Sequence, residues 1–289
     1  MCPTNRIEVA TLHMRTLSRH IIRLASLMLL TASPARAEPP KDVFNSPMWE
    51  TLSERYFGQD TVVFDDRVQV GVPPIVENQA QVPITADARM LDGVKKLIVF
   101  ADLNPIQLAL ELEPIQAKAF VAFRMKIEQA TPVRAAALTE DGVWHVGGMF
   151  LDAAGGGCTA PPKANGGVSW YDTLGETQGR LWQEKDGSVR ARFRISHPMD
   201  TGLGQDNTPA YYIEKVEAKG TAGGTLARLS MYEPVSQNPT ITLVVDLGRD
   251  GKGVDIDSRD NNGKIYRASL LAPWRQSQSD QREGALNAP

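Results

Sequence analysis

Between Thr61 and Asp152 the chain is cut into seven short runs of apolar or alternating residues: "TVVFDDRVQVGVP", "QAQVPITADAR", "KKLIVFADL", "LALELE", "AFVAFRMKIE", "PVRAAALTE" and "GVWHVGGMFLD". Pro, Gly, Asp or Asn stand between them. A period of two sends successive side chains to opposite faces, which is the pattern of a half-buried strand and not of a helix. Runs this short, at this spacing, leave no room for crossover helices, so they predict a β-sandwich over 38–152 rather than a βαβ array. From residue 186 the pattern resumes with "SVRARFRISH", "YYIEKVEAKG", "LARLSMYEP", "TITLVVDLG", "GVDIDSRD" and "GKIYRASLL", the last two joined by the hairpin turn "DNNGK". This predicts a second, smaller sandwich over 186–275. One short helix precedes the strands: "PMWETLSERYF" places Trp49, Leu52 and Tyr56 on one face, with Ser46 as N-cap and Pro47 at the first position. The expected fold class is all-β, two immunoglobulin-like sandwiches with one N-terminal helix.

The ends are set apart. Residues 1–37 carry Arg15, Arg19 and Arg23, then the apolar run "LASLMLLTA", then Ala35-Arg36-Ala37, the order of a secretory signal peptide cut after Ala37. The apolar run is shorter than the roughly 20 residues that span a bilayer. The expectation is an exported protein without a membrane anchor. Removing 1–37 takes five of the 31 Lys and Arg and one of the 34 Asp and Glu, leaving a formal charge of −7. That balance argues against a nucleic-acid partner, which calls for a basic patch or stripe. The polar tail 276–289 has no apolar periodicity and reads as disordered.

Between the two strand-rich halves, 153–185 reads as a Gly/Pro-rich linker, and its first part is "AAGGGCTAPPKANGG". It holds Cys158, the one cysteine left after residue 37; His145 and His197 are the remaining histidines. A zinc site needs three or four Cys, His or carboxylate ligands, so no metal is expected from this inventory. A single thiol cannot close an intramolecular disulfide, and in an oxidising compartment it reads as a reactive thiol or one that pairs two copies. "DIDSRDNNG" fails as a calcium loop, because Arg259 stands where a ligand is needed and Asp260 where the turn needs glycine. There is no dinucleotide or serine-hydrolase motif. His145, on an alternating strand, reads as a hydrogen-bonded histidine before a base for Cys158. Trp144, Trp170 and Trp182 read as core or interface residues. Arg190, Arg192 and Arg194 alternate on one strand, as a solvated face first and an anion-attracting surface second.

"RISHPMDTG" resembles the HPM-(acidic)-TG signature near the start of SoxZ, and "EPVSQNPTITL" and "DNNGKIYRASL" resemble its later strands. "VPITADA", "LIVFADLNPIQLA", "RMKIEQATPVRAAAL" and the closing "GGGC" resemble SoxY, in the same order. From about residue 42 to 272 the chain resembles a SoxY–SoxZ fusion, of the type described as a quinoprotein-dehydrogenase-associated SoxYZ-like carrier. The resemblance implies a periplasmic, non-catalytic carrier. Thiosulfate-derived groups would be held covalently on Cys158, on an arm made mobile by Gly155, Gly156 and Gly157, with no other cofactor. His197 and Asp200 would help to present the arm. Partners would be periplasmic sulfur-oxidation enzymes, or a quinoprotein dehydrogenase or cytochrome. The second reading is an accessory protein of a periplasmic quinoprotein alcohol dehydrogenase system. One departure matters: in SoxY the motif ends the chain, near GGCGG, whereas here Thr159, Ala160 and Pro161 follow. The arm is tethered at both ends, and six residues from Asp152 reach roughly 20 Å at full stretch. An exposed thiol at the tip of that loop is the expectation, with its pKa near the free value of about 8.5. Two copies can join through Cys158 as a reducible dimer.

Overall fold

The computed structural model describes residues 40–161, 170–204, 208–249 and 251–274. The segment read as a signal peptide, the tail read as disordered, Lys163 and the rest of 162–169, and the Trp170 side chain lie outside the described residues. In chain order come helix α1 (Trp49–Phe57) and strands β1 (Thr61–Phe64), β2 (Gln69–Gly71), β3 (Val82–Asp87), β4 (Val94–Ala101), β5 (Leu108–Pro114), β6 (Ala117–Met125), β7 (Thr131–Thr139) and β8 (Val143–Leu151). A single helical turn, α2 (Trp170–Thr173), leads to β9 (Thr177–Gln183), β10 (Val189–Ile195), β11 (Ile213–Gly220), β12 (Thr225–Met231), β13 (Thr240–Val245), β14 (Gly253–Asp260) and β15 (Ile265–Leu271).

The all-β class is observed, and the two halves share their sheets. One sheet runs β1-β8-β7-β4-β5-β12-β11-β14-β15 and the other β2-β3-β6-β13-β10-β9. The halves meet twice, edge to edge. In the first sheet β5 pairs antiparallel with β12, from Leu110 opposite Met231 to Pro114 opposite Ala227. In the second β6 pairs with β13, Val121 opposite Leu243. Pairing removes four open strand edges, each a row of unpaired N–H and C=O groups. One apolar layer, including Leu112, Val121 and Phe123 from the first half and Phe193, Leu229 and Leu243 from the second, then fills the space between the sheets.

Strand burial follows what covers each face. β10, "VRARFRI", alternates strictly between buried and exposed, because only its inner face is covered. β4 and β7 are apolar almost throughout, since α1 lies over the outer face of their sheet. There Trp49, Leu52 and Phe57 pack on Ile98, Phe100, Ala136 and Trp144. Beside this cluster the fully buried Arg134 makes a bidentate pair with Asp102 (2.8–3.1 Å), lies 2.8 Å from Asp42, and stacks 4.4 Å from the Trp49 ring. It pins the segment before α1 to β7.

Three boundaries differ from the sequence reading. "TVVFDDRVQV" is two strands on different sheets: Asp65 turns the chain, its carbonyl accepting from the Val68 N–H and its carboxylate from the Arg67 N–H. The stretch 177–183, read as linker, is an edge strand on β10. Its outer residues are exposed and Gly179 interrupts the side-chain pattern, so alternation is weak. The helix starts at Trp49, two residues after Pro47; the Ser46 hydroxyl accepts the Met48 N–H instead of capping the first turn.

Candidate functional site

The cysteine arm lies in a socket at the seam between the halves. The first half supplies the end of β6, where the chain leaves the sheet at Lys126, Ile127 and Glu128, with the 78–81 loop beside it. Buried Asn104 fixes that end, its Nδ2 donating to the Lys126 carbonyl (2.8 Å) and its Oδ1 accepting from the Glu128 N–H (2.9 Å). The arm continues the hydrogen bonding. The Gly156 N–H donates to the Glu128 carbonyl (3.1 Å), the Gly157 N–H to the Ile127 carbonyl (3.0 Å), and the Cys158 N–H to Glu128 Oε2 (2.9 Å).

Glycine is required at 157 by close approach. A Cβ there would stand 2.2 Å from the Gln79 carbonyl oxygen and 2.5 Å from that of Ile127. Gly155 adds a φ of 103° to an approach of 2.5 Å to the Glu128 carbonyl. The run "GGG", read as flexibility, is therefore also the shape that lets the arm seat.

The expectation of an exposed thiol is corrected. Cys158 is 2% exposed, and its Sγ lies 3.8 Å from the Lys126 carbonyl. Burial, reinforced by the Glu128 carboxylate and opposed by Lys126, pushes the thiol up to about 12. In this seat it is a neutral thiol, without the nucleophilic thiolate. The reason is local: three backbone N–H groups of the arm find acceptors in the socket, which a free loop would leave to water.

The second half closes the socket with its "HPMDTG" turn. His197 Nδ1 accepts the Met199 N–H (3.1 Å), so the ring proton sits on Nε2, and the ring packs 4.4 Å from that of Tyr211. Burial, with a smaller contribution from Lys126 and against Asp260, pushes His197 down to about 4. It is a neutral structural ring at ordinary pH. Asp200 exchanges both backbone hydrogen bonds with Tyr211, and its Oδ1 accepts the Gly202 N–H (2.9 Å). His197 and Asp200 thus shape the turn through these hydrogen bonds. Thr201, next in the same turn, reaches the arm, its hydroxyl donating to the Cys158 carbonyl at 2.7 Å.

Beneath the arm Lys126 ties both halves together. Its Nζ, almost wholly buried, donates to the carbonyls of Met199 (2.5 Å), Glu233 (2.8 Å) and Val235 (2.8 Å). Burial pushes its pKa down to about 8, against the pull of Cys158, Asp200 and Glu233. A cavity of about 180 Å³ opens beside the arm, with Lys126, Gln79, Gly156, Pro161, Pro198 and Gln237 in its wall. His145 lies elsewhere on β8, its Nδ1 2.8 Å from Asp65, and Trp144 is buried beneath α1. The sequence reading missed Lys126, Glu128, Asn104 and Thr201 as parts of the site. All four stand inside motifs already quoted for resemblance, but only the tertiary pairing shows what they hold.

The arrangement is a lone thiol on an arm seated at the seam between the two halves. The family profile of the sulfur oxidation protein SoxY matches residues 53–158, and that of the sulphur oxidation protein SoxZ matches residues 180–270. The chain belongs to these sulfur-oxidation families as a fusion of a SoxY domain and a SoxZ domain. No curated protein sequence matches it. Among solved structures, the sulfur carrier protein SoxY from Chlorobium limicola f thiosulfatophilum is similar at 18% identity and a TM-score of 0.33, over 37% of this chain and 91% of that one. A beta-glycosidase from Bacteroides vulgatus is similar at 8% identity and a TM-score of 0.22, over 72% of this chain and 25% of that one.

Proposed function

We propose that the protein works in the periplasm, carrying sulfur-containing intermediates as covalent adducts of Cys158 and presenting them to partner enzymes. The observation behind this is the docked arm: a buried, neutral thiol that becomes reactive only when the arm leaves its socket. Joining a thiol to thiosulfate as an S–S bond releases one proton and two electrons. A redox partner must take those electrons, and a periplasmic sulfur-oxidation enzyme, a cytochrome or a quinoprotein dehydrogenase has the right chemistry. The released loop presents Cys158 at a bend rather than at a chain end, so the partner needs a cleft wide enough for two strands of backbone.

Tetrathionate tests loading without a partner. Attack of the Cys158 thiolate on an inner sulfur gives a cysteine thiosulfonate and expels thiosulfate, with no outside oxidant. Wild type should gain one reducible addition by intact mass, and Cys158→Ser none. An equal addition to the serine variant would end the carrier reading. The burial of Cys158 also fits the second reading, an accessory protein of a quinoprotein alcohol dehydrogenase system in which the sheets bind the partner. Equal support of dehydrogenase activity by wild type and Cys158→Ser would favour it.

A further inference from the structure

The outer face of the second sheet is basic at the end nearest the cysteine socket. Arg124 on β6, Arg180 on β9, and Arg192 and Arg194 on β10 are exposed around one open depression, which also includes Trp182 and Gln237. None of the four arginines has an ion-pair partner among the described residues. Elsewhere several exposed arginines are neutralised, Arg89 by Asp87, Arg190 by Glu184, Arg228 by Glu113 and Glu217, and Arg267 by Asp257, while Arg55 is held by the Gln107 amide. The chain as a whole carries a net charge of −3, so a patch without a single carboxylate runs against its composition.

The register makes the patch more pointed. Arg192 on β10 stands directly opposite Arg180 on β9. Like charges opposite one another on one sheet face are destabilising, and here no acid offsets them. Position links the patch to the arm. Arg124 is two residues before Lys126, whose carbonyl meets the thiol, and Arg194 is three before His197. Gln81 and Gln237, hydrogen-bonded across the seam at 3.3 Å, line both this depression and the cavity beside the arm.

We propose that this arginine face is the docking surface for an acidic protein surface, the carboxylate-rich rim around the active site of the enzyme that receives the arm. Arginine suits that partner because its planar fork binds carboxylates bidentately, and arginine with tryptophan is typical of interface centres. Contact here sets the partner's rim against the socket, within the reach of the released arm. The proposal rests on the carrier reading for the identity of its partner, and its test uses no cargo.

A fluorescent decaglutamate peptide serves as the probe, measured by anisotropy at low salt. The triple variant R124Q/R192Q/R194Q should bind it roughly tenfold more weakly than wild type, as expected for the loss of several exposed charge contacts. The control R228Q/R259Q/R267Q, with the same change in net charge on the other sheet, should stay within about twofold, the scale of a single weak exposed pair. Thiosulfate should compete no better than chloride at equal ionic strength. Equal weakening in both triples, no binding by wild type, or displacement by thiosulfate at matched ionic strength would each overturn the proposal. A second readout is independent of the probe: Arg192→Gln should raise Tm, and a lowered Tm would contradict the charge-opposition argument. Tetrathionate loading of Cys158 should be unchanged in both triples, so failure of the docking surface and failure of the carrier reading are distinguishable.

Discussion

Replacing Gly157 by alanine separates the seated arm from the rest of the fold. The φ of Gly157 lies outside the left-handed region, so alanine is not strained by its own backbone there. The added methyl would instead meet two carbonyl oxygens at 2.2 and 2.5 Å, those of Gln79 and Ile127. Neither yields easily, because the Gln79 carbonyl accepts the Ile127 N–H (2.8 Å) and the Ile127 carbonyl accepts the Gly157 N–H (3.0 Å). Seating is a balance of similar magnitudes. Ordering the four residues 155–158 costs about 4–8 kcal/mol of backbone entropy. The hydrogen bonds of Gly156, Gly157, Cys158 and Thr201 offset about 3–7 kcal/mol of this, counting the one to the Glu128 carboxylate as charge-assisted. Loss of the Gly157 and Cys158 bonds alone removes about 2–4 kcal/mol. The ratio of released to seated arm should then rise roughly 30-fold, and the released population up to completion. Maleimide labelling at pH 7, at reagent concentrations low enough that release stays in pre-equilibrium, reads this directly. Gly157→Ala should label faster than wild type, by up to about 30-fold for the same ~2 kcal/mol, with Tm nearly unchanged because residue 157 belongs to neither sheet. Labelling at the wild-type rate with an unchanged Tm would refute the seated arm.

Thr201→Val keeps the volume and removes the hydroxyl that holds the Cys158 carbonyl; labelling should quicken about 2- to 12-fold, the equivalent of one hydrogen bond. The same released arm should make Gly157→Ala form the reducible Cys158 dimer faster than wild type on non-reducing gels, and equal rates would contradict it. His197 is pushed down to about 4, below its value of about 6.5 in an unfolded chain, so the unfolded state binds the extra proton between those pH values. Its contribution of about 3 kcal/mol is complete above pH ~6.5 and is lost as pH falls toward ~4. Urea midpoints should therefore fall less steeply over that interval in His197→Gln than in wild type. Arg134→Met leaves the buried Asp102 carboxylate without its partner and should cost about 3–5 kcal/mol in urea unfolding; a loss under about 1 kcal/mol would mean the pair is not desolvated.

The strands were legible because alternation is a local signal, and β10, with one face in water, shows it without interruption. Where both faces are covered the signal changes, as in "LIVFA" and "VRAAAL", and only the structure shows α1 as the second cover. The joining of the halves through β5 with β12 and β6 with β13 was not legible, because an edge strand and a paired strand of the same pattern read alike. Cys158 and its glycines stood out as a breach of periodicity, and the family motif gave them a role. Their burial was hidden for a different reason. The socket joins residues 79, 127–128 and 201, far apart in the chain, and a Gly-rich stretch reads the same whether it is loose or closely seated. Lys126 illustrates the same limit: a lysine at a strand end reads as solvated until three carbonyls are found around it.

Intact mass spectrometry of the protein purified from its native cells, before and after reductant, tests the carrier account most directly. Reducible additions of sulfur or thiosulfate-derived mass, mapped to Cys158 and present during growth on reduced sulfur compounds, are the predicted result. A bare Cys158 thiol under every such condition would contradict it.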